Sequence, residues 1–269
     1  MIKDRFLAIL CLFLVICLIA IFPINAAAES AKSWYCVRAK DHKQPVADAD
    51  MRFIEDYNGY YIDKVHGDDC EDKVVYLTFD AGYENGNVKK ILDILNAEEV
   101  KGAFFILGNL IARNGDLVKQ MADDGHTVAN HTNKHRDMTT FESLEAFRAE
   151  LEELERQYKV LTGTDMPKYF RPPEGKFSKT SMQYANELGY KTIFWSFAYA
   201  DWDNSNQMSP ASALEKILAN VHNGAVILLH PTSETNAAIM QDLIRTLKSQ
   251  GYRFGTLDEL CGQNSSSEQ

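Results

Sequence analysis

The chain has 269 residues, 45% hydrophobic and 25% charged, an ordinary globular composition and enough for one large α/β domain or two small ones. Its formal net charge of −10 argues against a nucleic-acid partner, because counterion release needs clustered Lys and Arg and no such cluster occurs. No Gly-x-Gly-x-x-Gly or Walker loop follows an apolar run, so nucleotide binding is unsupported.

Residues 1–28 read as a leader. Lys3 and Arg5 precede an apolar run from Phe6 to Phe22, followed by Pro23 and Ala26-Ala27-Ala28. This is the pattern of a secretory signal. The run is long for a signal and short for a spanning helix, so an uncleaved membrane anchor stays open. Either reading places the bulk of the chain outside the cytoplasm. Past the leader, Cys36, Cys70 and Cys261 remain. Three unbridged thiols are the preferred reading, with a Cys36–Cys70 disulfide as the alternative. The lack of any Cys-x-x-Cys pair disfavours a cysteine-ligated zinc.

Residues 29–72 form a polar lead-in with Trp34-Tyr35, Tyr57 and Tyr60-Tyr61 and little periodicity. It reads as a segment that wraps the main domain, 73–262. There the pattern becomes regular. Strand-like runs are predicted at 73–79, 102–107, 127–130, 168–171, 191–196, 224–229 and 252–255. Helices are predicted at 87–98, 114–125, 141–163, 178–189, 209–222 and 235–250, with Gly125, Gly163, Gly189 and Gly251 punctuating their ends. Strands alternating with helices imply βαβ units and a parallel sheet, and the number of units suits a barrel-like arrangement. The Ser-rich tail, 263–269, is expected to be disordered.

Polar residues recur where the strands end. Thr78 and Asp80 close the first run; His131 and His135 follow the third. Arg171 ends the fourth, Asp201-Trp202 follow the fifth, and His230-Pro231 end the sixth. In a parallel barrel these ends open on one face, where active sites are built. Taken singly each residue has a plainer reading: Asp80 as a turn cap, His230 as a satisfied core histidine, Asp201 as a helix-start acid. Their convergence favours chemistry. Two histidines four apart can share one face of a helical turn and point at one ion, with Asp80 as a base. A metalloprotease motif is excluded because Thr132 stands where its glutamate would be. Position 81, where a third ligand might be expected, is Ala81.

The series Thr78-Phe79-Asp80-Ala81-Gly82, His131-Thr132-Asn133-Lys134-His135, Arg171-Pro172-Pro173-Glu174-Gly175, Asp201-Trp202 and Leu229-His230-Pro231 resembles the polysaccharide deacetylase (NodB-homology) family, motif by motif and in order. The resemblance implies a distorted (β/α) barrel and metal-dependent removal of acetyl groups from N-acetylated sugars. It implies that Asp80 is the general base and that His131 and His135 hold the metal. Arg171 would keep Asp80 ionised, a backbone N–H near Glu174 would serve the oxyanion, and His230, tuned by Asp201, would protonate the leaving amine. Trp202 and Leu229 would wall the acetyl pocket, and Tyr83 and Glu174 are further candidates for substrate binding.

Two departures stand out. Most members have a second Asp, a metal ligand, where this chain has Ala81, and an aromatic where it has Glu174. Ala81 implies a weakly held ion: zinc suits histidine ligation, with manganese or magnesium as alternatives. Loss of the second acid, with the context Gly82-Tyr83-Glu84-Asn85-Gly86, resembles the peptidoglycan deacetylases of spore-forming bacteria. Those act on N-acetylmuramic acid on the way to muramic δ-lactam. The expected partner is therefore peptidoglycan glycan strands. The alternatives are an N-acetylglucosamine deacetylase of peptidoglycan or chitin-like polymers, and a catalytically silent glycan-binding relative.

Overall fold

The computed structural model describes residues 30–262; the expected leader at 1–28 and the expected tail at 263–269 lie outside the described residues. The elements in chain order are β1 (Lys32–Ser33), β2 (Gly59–Tyr60), β3 (Lys73–Ala81), α1 (Asn87–Ala97), β4 (Ala103–Ile106), α2 (Gly108–Asp123), β5 (Thr127–Asn130), α3 (Leu144–Thr162), β6 (Tyr169–Phe170), β7 (Lys176–Phe177), α4 (Lys179–Glu187), β8 (Lys191–Ile193), α5 (Pro210–Leu218), β9 (Ala225–Leu229), α6 (Glu234–Ser249), β10 (Tyr252–Phe254) and α7 (Leu257–Leu260).

β3 is the spine of the sheet. β9 runs parallel along one edge, from Val75↔Ala225 to Phe79↔Leu229. β10 pairs with the start of β3 and β4 with its end. β5, β6 and β8 follow in order, all parallel. Among the described residues, β9 meets the far side of the curl through isolated bridges, Phe197↔Ile227 beyond β8 and Ile62↔Ala225 beyond β2. The expected distorted barrel is thus a curled parallel sheet with helices on its outside.

Side chains alternate across each strand. On β3, Val74 and Tyr76 join the inner apolar cluster with Phe105, Ile193 and Val226. Val75, Leu77, Phe79 and Ala81 face outward, into the layer shared with Ile91 and Leu95 of α1, Val118 of α2 and Leu243 of α6. The inner face becomes polar toward its end, at Thr78 and Asp80, and that is where the site forms.

The seven predicted strands all recur, some shorter. The lead-in does more than wrap. β1 pairs antiparallel with β7, and β2 parallel with β8. Trp34 stacks on Phe194 with ring centroids 4.6 Å apart, in a cluster with Met51, Ile54 and Phe177. Strands of two residues carry no readable alternation, which is why they escape the sequence. α2 starts at Gly108, ahead of its predicted start at 114; Asn114, with φ −138° and ψ 44°, kinks it there. The predicted stop at Gly163 is a left-handed cap on α3, φ 79°, a conformation glycine adopts without a Cβ clash. Cys36, Cys70 and Cys261 are free thiols, and burial pushes Cys36 and Cys261 up to about 12.

Candidate active site

Arg171 organises the floor of the site. It lies just past β6, fully buried, with its guanidinium 4.1 Å from the centre of the Phe105 ring. Nη1 donates to Asp80 Oδ1 at 2.8 Å and Nη2 to Thr78 Oγ1 at 2.9 Å. Nε donates to the Ile193 carbonyl at 2.9 Å. A buried charge is tolerable only when paired and hydrogen-bonded, and each arm of this one is engaged. Burial of Asp80 works against its ionisation, but the charges of Arg171, His131 and His230 outweigh it and hold the carboxyl below the usual range. Asp80 therefore stands ionised, oriented and ready to accept a proton.

The two histidines come from a loop, not the helical turn that their spacing suggested. No helix covers 131–135; instead Thr132 and His135 both take positive φ, 74° and 55°. Asn130, at the end of β5, builds this loop. Its Oδ1 accepts the Thr132 N–H at 2.8 Å, and Thr132 Oγ1 accepts the His135 N–H at 2.8 Å. The imidazoles meet edge to face, centroids 5.1 Å apart. His131 Nδ1 lies 2.8 Å from the Arg171 carbonyl oxygen. A carbonyl only accepts, so Nδ1 carries the proton and Nε2 presents a lone pair, 3.6 Å from Asp80 Oδ2. Burial, eased by Asp80 and reinforced by His135, lowers His131 to about 4, so the ring is neutral at physiological pH.

His230, just past β9, forms the opposite wall. Its Nδ1 donates to Asp201 Oδ1 at 2.7 Å, and its backbone N–H donates to Asp201 Oδ2 at 2.8 Å. Asn236 of α6 donates to the same Oδ2 at 2.6 Å, and Tyr199 Oη donates to Asn236. Asp201 is 1% exposed. The nearby acid Asp203 is exposed and caps Ser205 instead. Burial pulls His230 down, but the hydrogen bond and charge of Asp201, with the charge of Asp80, raise it overall. A histidine held toward its protonated form, Nε2 free, suits a general acid.

These groups border one cavity of about 640 Å³, whose lining includes Asp80, His131, His135, Glu174, Trp202 and His230. Tyr83 and Trp202 stand at its mouth, and Asn204 Nδ2 donates to Tyr83 Oη at 3.0 Å across the two loops. One expectation is corrected. Leu229 does not wall the cavity: it faces outward into the helix-side layer, while Leu228 lines the cavity. The reason is the period of two along β9. Trp195, Tyr199 and Asn236 carry no signal in the sequence. Asn236 sits within α6, and its role depends entirely on how that helix docks.

Among the described residues, no three His, Cys, Asp or Glu side chains converge as a metal centre. Ala81 lies in the outer apolar layer, on the face opposite Asp80, and offers no donor. What remains is a pair of imidazoles, one with its tautomer set by a carbonyl, as in many metal sites. The pair fits a divalent ion held by His131 and His135, with the remaining positions open.

A curled parallel barrel with a buried Asp–Arg pair, a His–Asp pair and two further histidines over one cavity defines a hydrolase-type site. The chain belongs to the polysaccharide deacetylase family: the family model, described as polysaccharide deacetylase, matches residues 67–193. The chain is 35% identical over 252 residues to peptidoglycan-N-acetylmuramic acid deacetylase PdaA of Bacillus subtilis, covering 91% of this chain and 94% of that protein. The solved structure of PdaA, a family 4 carbohydrate esterase, superposes with a TM-score of 0.82 over 87% of this chain and 98% of that one, at 35% identity. Peptidoglycan-N-acetylglucosamine deacetylase PgdA of Listeria monocytogenes is 35% identical over 192 residues, 71% of this chain but 39% of that protein.

Proposed function

We propose that the chain is an extracytoplasmic peptidoglycan de-N-acetylase that acts on N-acetylmuramic acid, its product going on to muramic δ-lactam in spore cortex. The observation that carries the reaction class is the pair of fixed couples over one cavity, Asp80 held by Arg171 and His230 held by Asp201. The choice of sugar rests on similarity to PdaA along nearly the whole length of both chains. The N-terminal segment 1–28 serves as export signal or anchor; among the described residues no helix is long and apolar enough to cross a membrane.

The residues divide the chemistry as follows. A divalent ion bound by His131 and His135 would supply Lewis-acid polarisation of the acetamide carbonyl. Asp80 takes a proton from the attacking water as its oxygen bonds to the acetyl carbon. Arg171 keeps Asp80 ionised and fixed. The C–N bond breaks as His230 Nε2 gives its proton to the departing nitrogen, leaving acetate and a free amine on the sugar. Asp201 holds the His230 ring and its charge. Glu174 sits at φ 56°, and the backbone N–H beside it serves the developing oxyanion. Leu228 confines the acetyl methyl, while Tyr83 and Trp202 offer aromatic faces to the sugar rings.

Acetate release from purified peptidoglycan tests this reading. The full chain is expected to release acetate, and Asp80→Asn to release it about 10²–10⁴-fold more slowly. Equal release by both would remove Asp80 from the reaction. Deacetylation of N-acetylglucosamine is the second reading, favoured by the similarity to PgdA. A silent glycan-binding role is disfavoured by the intact acid–base couples.

A further inference from the structure

Asp201 lies in the loop that joins β8 to α5, with no regular element of its own to fix it. Its buried carboxylate needs hydrogen-bond donors on both oxygens. Oδ1 takes the His230 Nδ1–H and Oδ2 the His230 backbone N–H. Both donors belong to the residue that Asp201 orients, so they cannot anchor the carboxylate to the rest of the fold. Asn236 can. It is fully buried and stands in the first turn of α6, where the Ser233 hydroxyl accepts its backbone N–H at 3.0 Å. Its Nδ2 donates to Asp201 Oδ2 at 2.6 Å and to the His230 carbonyl at 3.0 Å. Both partners only accept, so the amide must turn its NH₂ toward them. Its Oδ1 is left to accept from the Tyr199 hydroxyl. Tyr199 lines the cavity, yet its hydroxyl hydrogen is committed to Asn236. Two other bonds tie this loop to the start of α6. Gln207 Nε2 donates to the Asp201 carbonyl at 3.0 Å while its Oε1 accepts from Ser233 Oγ, and Thr235 Oγ1 donates to the Met208 carbonyl at 2.7 Å. These hold the main chain of the loop; Asn236 holds the carboxylate.

We propose that Asn236 is a positioning residue for the proposed general acid: it locks the Asp201 carboxylate so that Oδ1 stays on His230 Nδ1, and Tyr199 locks Asn236 in turn. The charged groups that face His230 are Asp201, Asp80 and Arg171; those that face Asp201 are His230 and the Tyr199 phenol. Burial pulls His230 toward its neutral form. The hydrogen bond and charge of Asp201, helped by Asp80, outweigh burial and the Arg171 charge. A hydrogen bond weakens steeply with angle, and a carboxylate free to turn about its Cβ–Cγ bond loses that alignment first. Without Asn236, His230 gives up its proton at lower pH. This inference rests on the proposed role of His230.

NMR titration of the His230 ring in the full chain tests it without relying on turnover, the resonance being identified by its loss in His230→Gln. Asn236→Leu removes the amide at nearly the same size, and circular dichroism checks the fold. The His230 midpoint is expected to move to lower pH in Asn236→Leu. It is expected to stay in place in Thr235→Val, which cuts a bond between the same helix and the same loop without touching Asp201. Should Asn236→Leu fail to fold, Tyr199→Phe, which frees the amide to turn, is expected to move the midpoint in the same direction. In turnover, kcat/KM for acetate release should fall about ten-fold in Asn236→Leu, yet by less than about two-fold when the same change is made in Asp201→Asn, because residues acting through one network do not add. An unmoved midpoint in Asn236→Leu, or in Tyr199→Phe where that variant stands in, would overturn the inference. So would an equal shift in Thr235→Val, or the same loss of turnover with and without Asp201. If the unsubstituted chain releases no acetate, the proposed function fails, and the titration still decides whether Asn236 governs the proton on His230.

Discussion

Arg171 accepts the Nδ1–H of His131 on its carbonyl oxygen at 2.8 Å, while its guanidinium reaches across the barrel to Asp80. One residue thus sets the tautomer of a candidate ligand with its main chain and the ionisation of the candidate base with its side chain. Any change at Arg171 therefore reaches both His131 and Asp80.

Replacing Arg171 with methionine leaves Asp80 as a buried carboxylate without its cation. Breaking a buried pair in this way costs about 3–5 kcal/mol. Chemical denaturation should show a loss of that size, with deacetylation abolished. Arg171→Lys should recover part of the stability, since an ammonium reaches Asp80 but cannot also satisfy Thr78 and the Ile193 carbonyl. A stability change within about 0.5 kcal/mol, the range of surface substitutions, would mean that the pair is not buried as described.

Asp80→Asn keeps the shape of the side chain and removes its basicity. Turnover should fall by about 10²–10⁴-fold, the range of a positioned general base, with circular dichroism unchanged. Retained turnover would point to another base.

Asp201→Asn tests the general acid through pH. In the intact chain, Asp201 helps hold His230 above its ordinary value of 6.5. In the proposed reaction His230 acts in its protonated form, so activity is expected to be lost as pH rises through that raised pKa. In the Asp201→Asn variant the alkaline limb of the pH–kcat/KM profile should move to lower pH. Stability follows the same sign. A group whose folded pKa is raised stabilises fully below its unfolded pKa, and the contribution fades as pH climbs through the folded one. An alkaline limb that does not move would contradict the assignment.

Leu228 and Leu229 are chain neighbours with opposite duties. Leu229→Ala opens a void in the outer layer and should cost about 2–5 kcal/mol of stability, with KM little changed. Leu228→Ala should leave a more stable protein than Leu229→Ala and raise KM for the acetylated glycan. Denaturation midpoints and steady-state kinetics on both variants separate the two roles.

The succession of strands along the chain and the clustering of Asp80, Arg171, Asp201 and His230 are legible in the sequence, because each residue ends or follows an apolar run and such ends share one face of a parallel barrel. The finer geometry is not. Ala225–Leu229 is apolar throughout, so nothing in the run says which leucine faces inward. The spacing of His131 and His135 suits a helical turn and a loop equally; Asn130 and the left-handed Thr132 decide for the loop. Asn236 lies near the start of a long amphipathic helix, and its bond to Asp201 exists only once that helix has docked. Ala81 reads in the sequence as a position without a ligand, and its side chain indeed offers no donor. Its packing in the outer layer depends on the alternation of β3 and emerges only in three dimensions.

The central claim is that this site removes the acetyl group from muramic acid. Mass spectrometry of muropeptides after incubating peptidoglycan with the full chain, with and without chelator, tests it most directly. The expected result is N-deacetylated muramic acid, or its lactam, in the treated sample, and none when the metal is withdrawn. Deacetylation confined to glucosamine residues, or a glycan left unchanged, would contradict it.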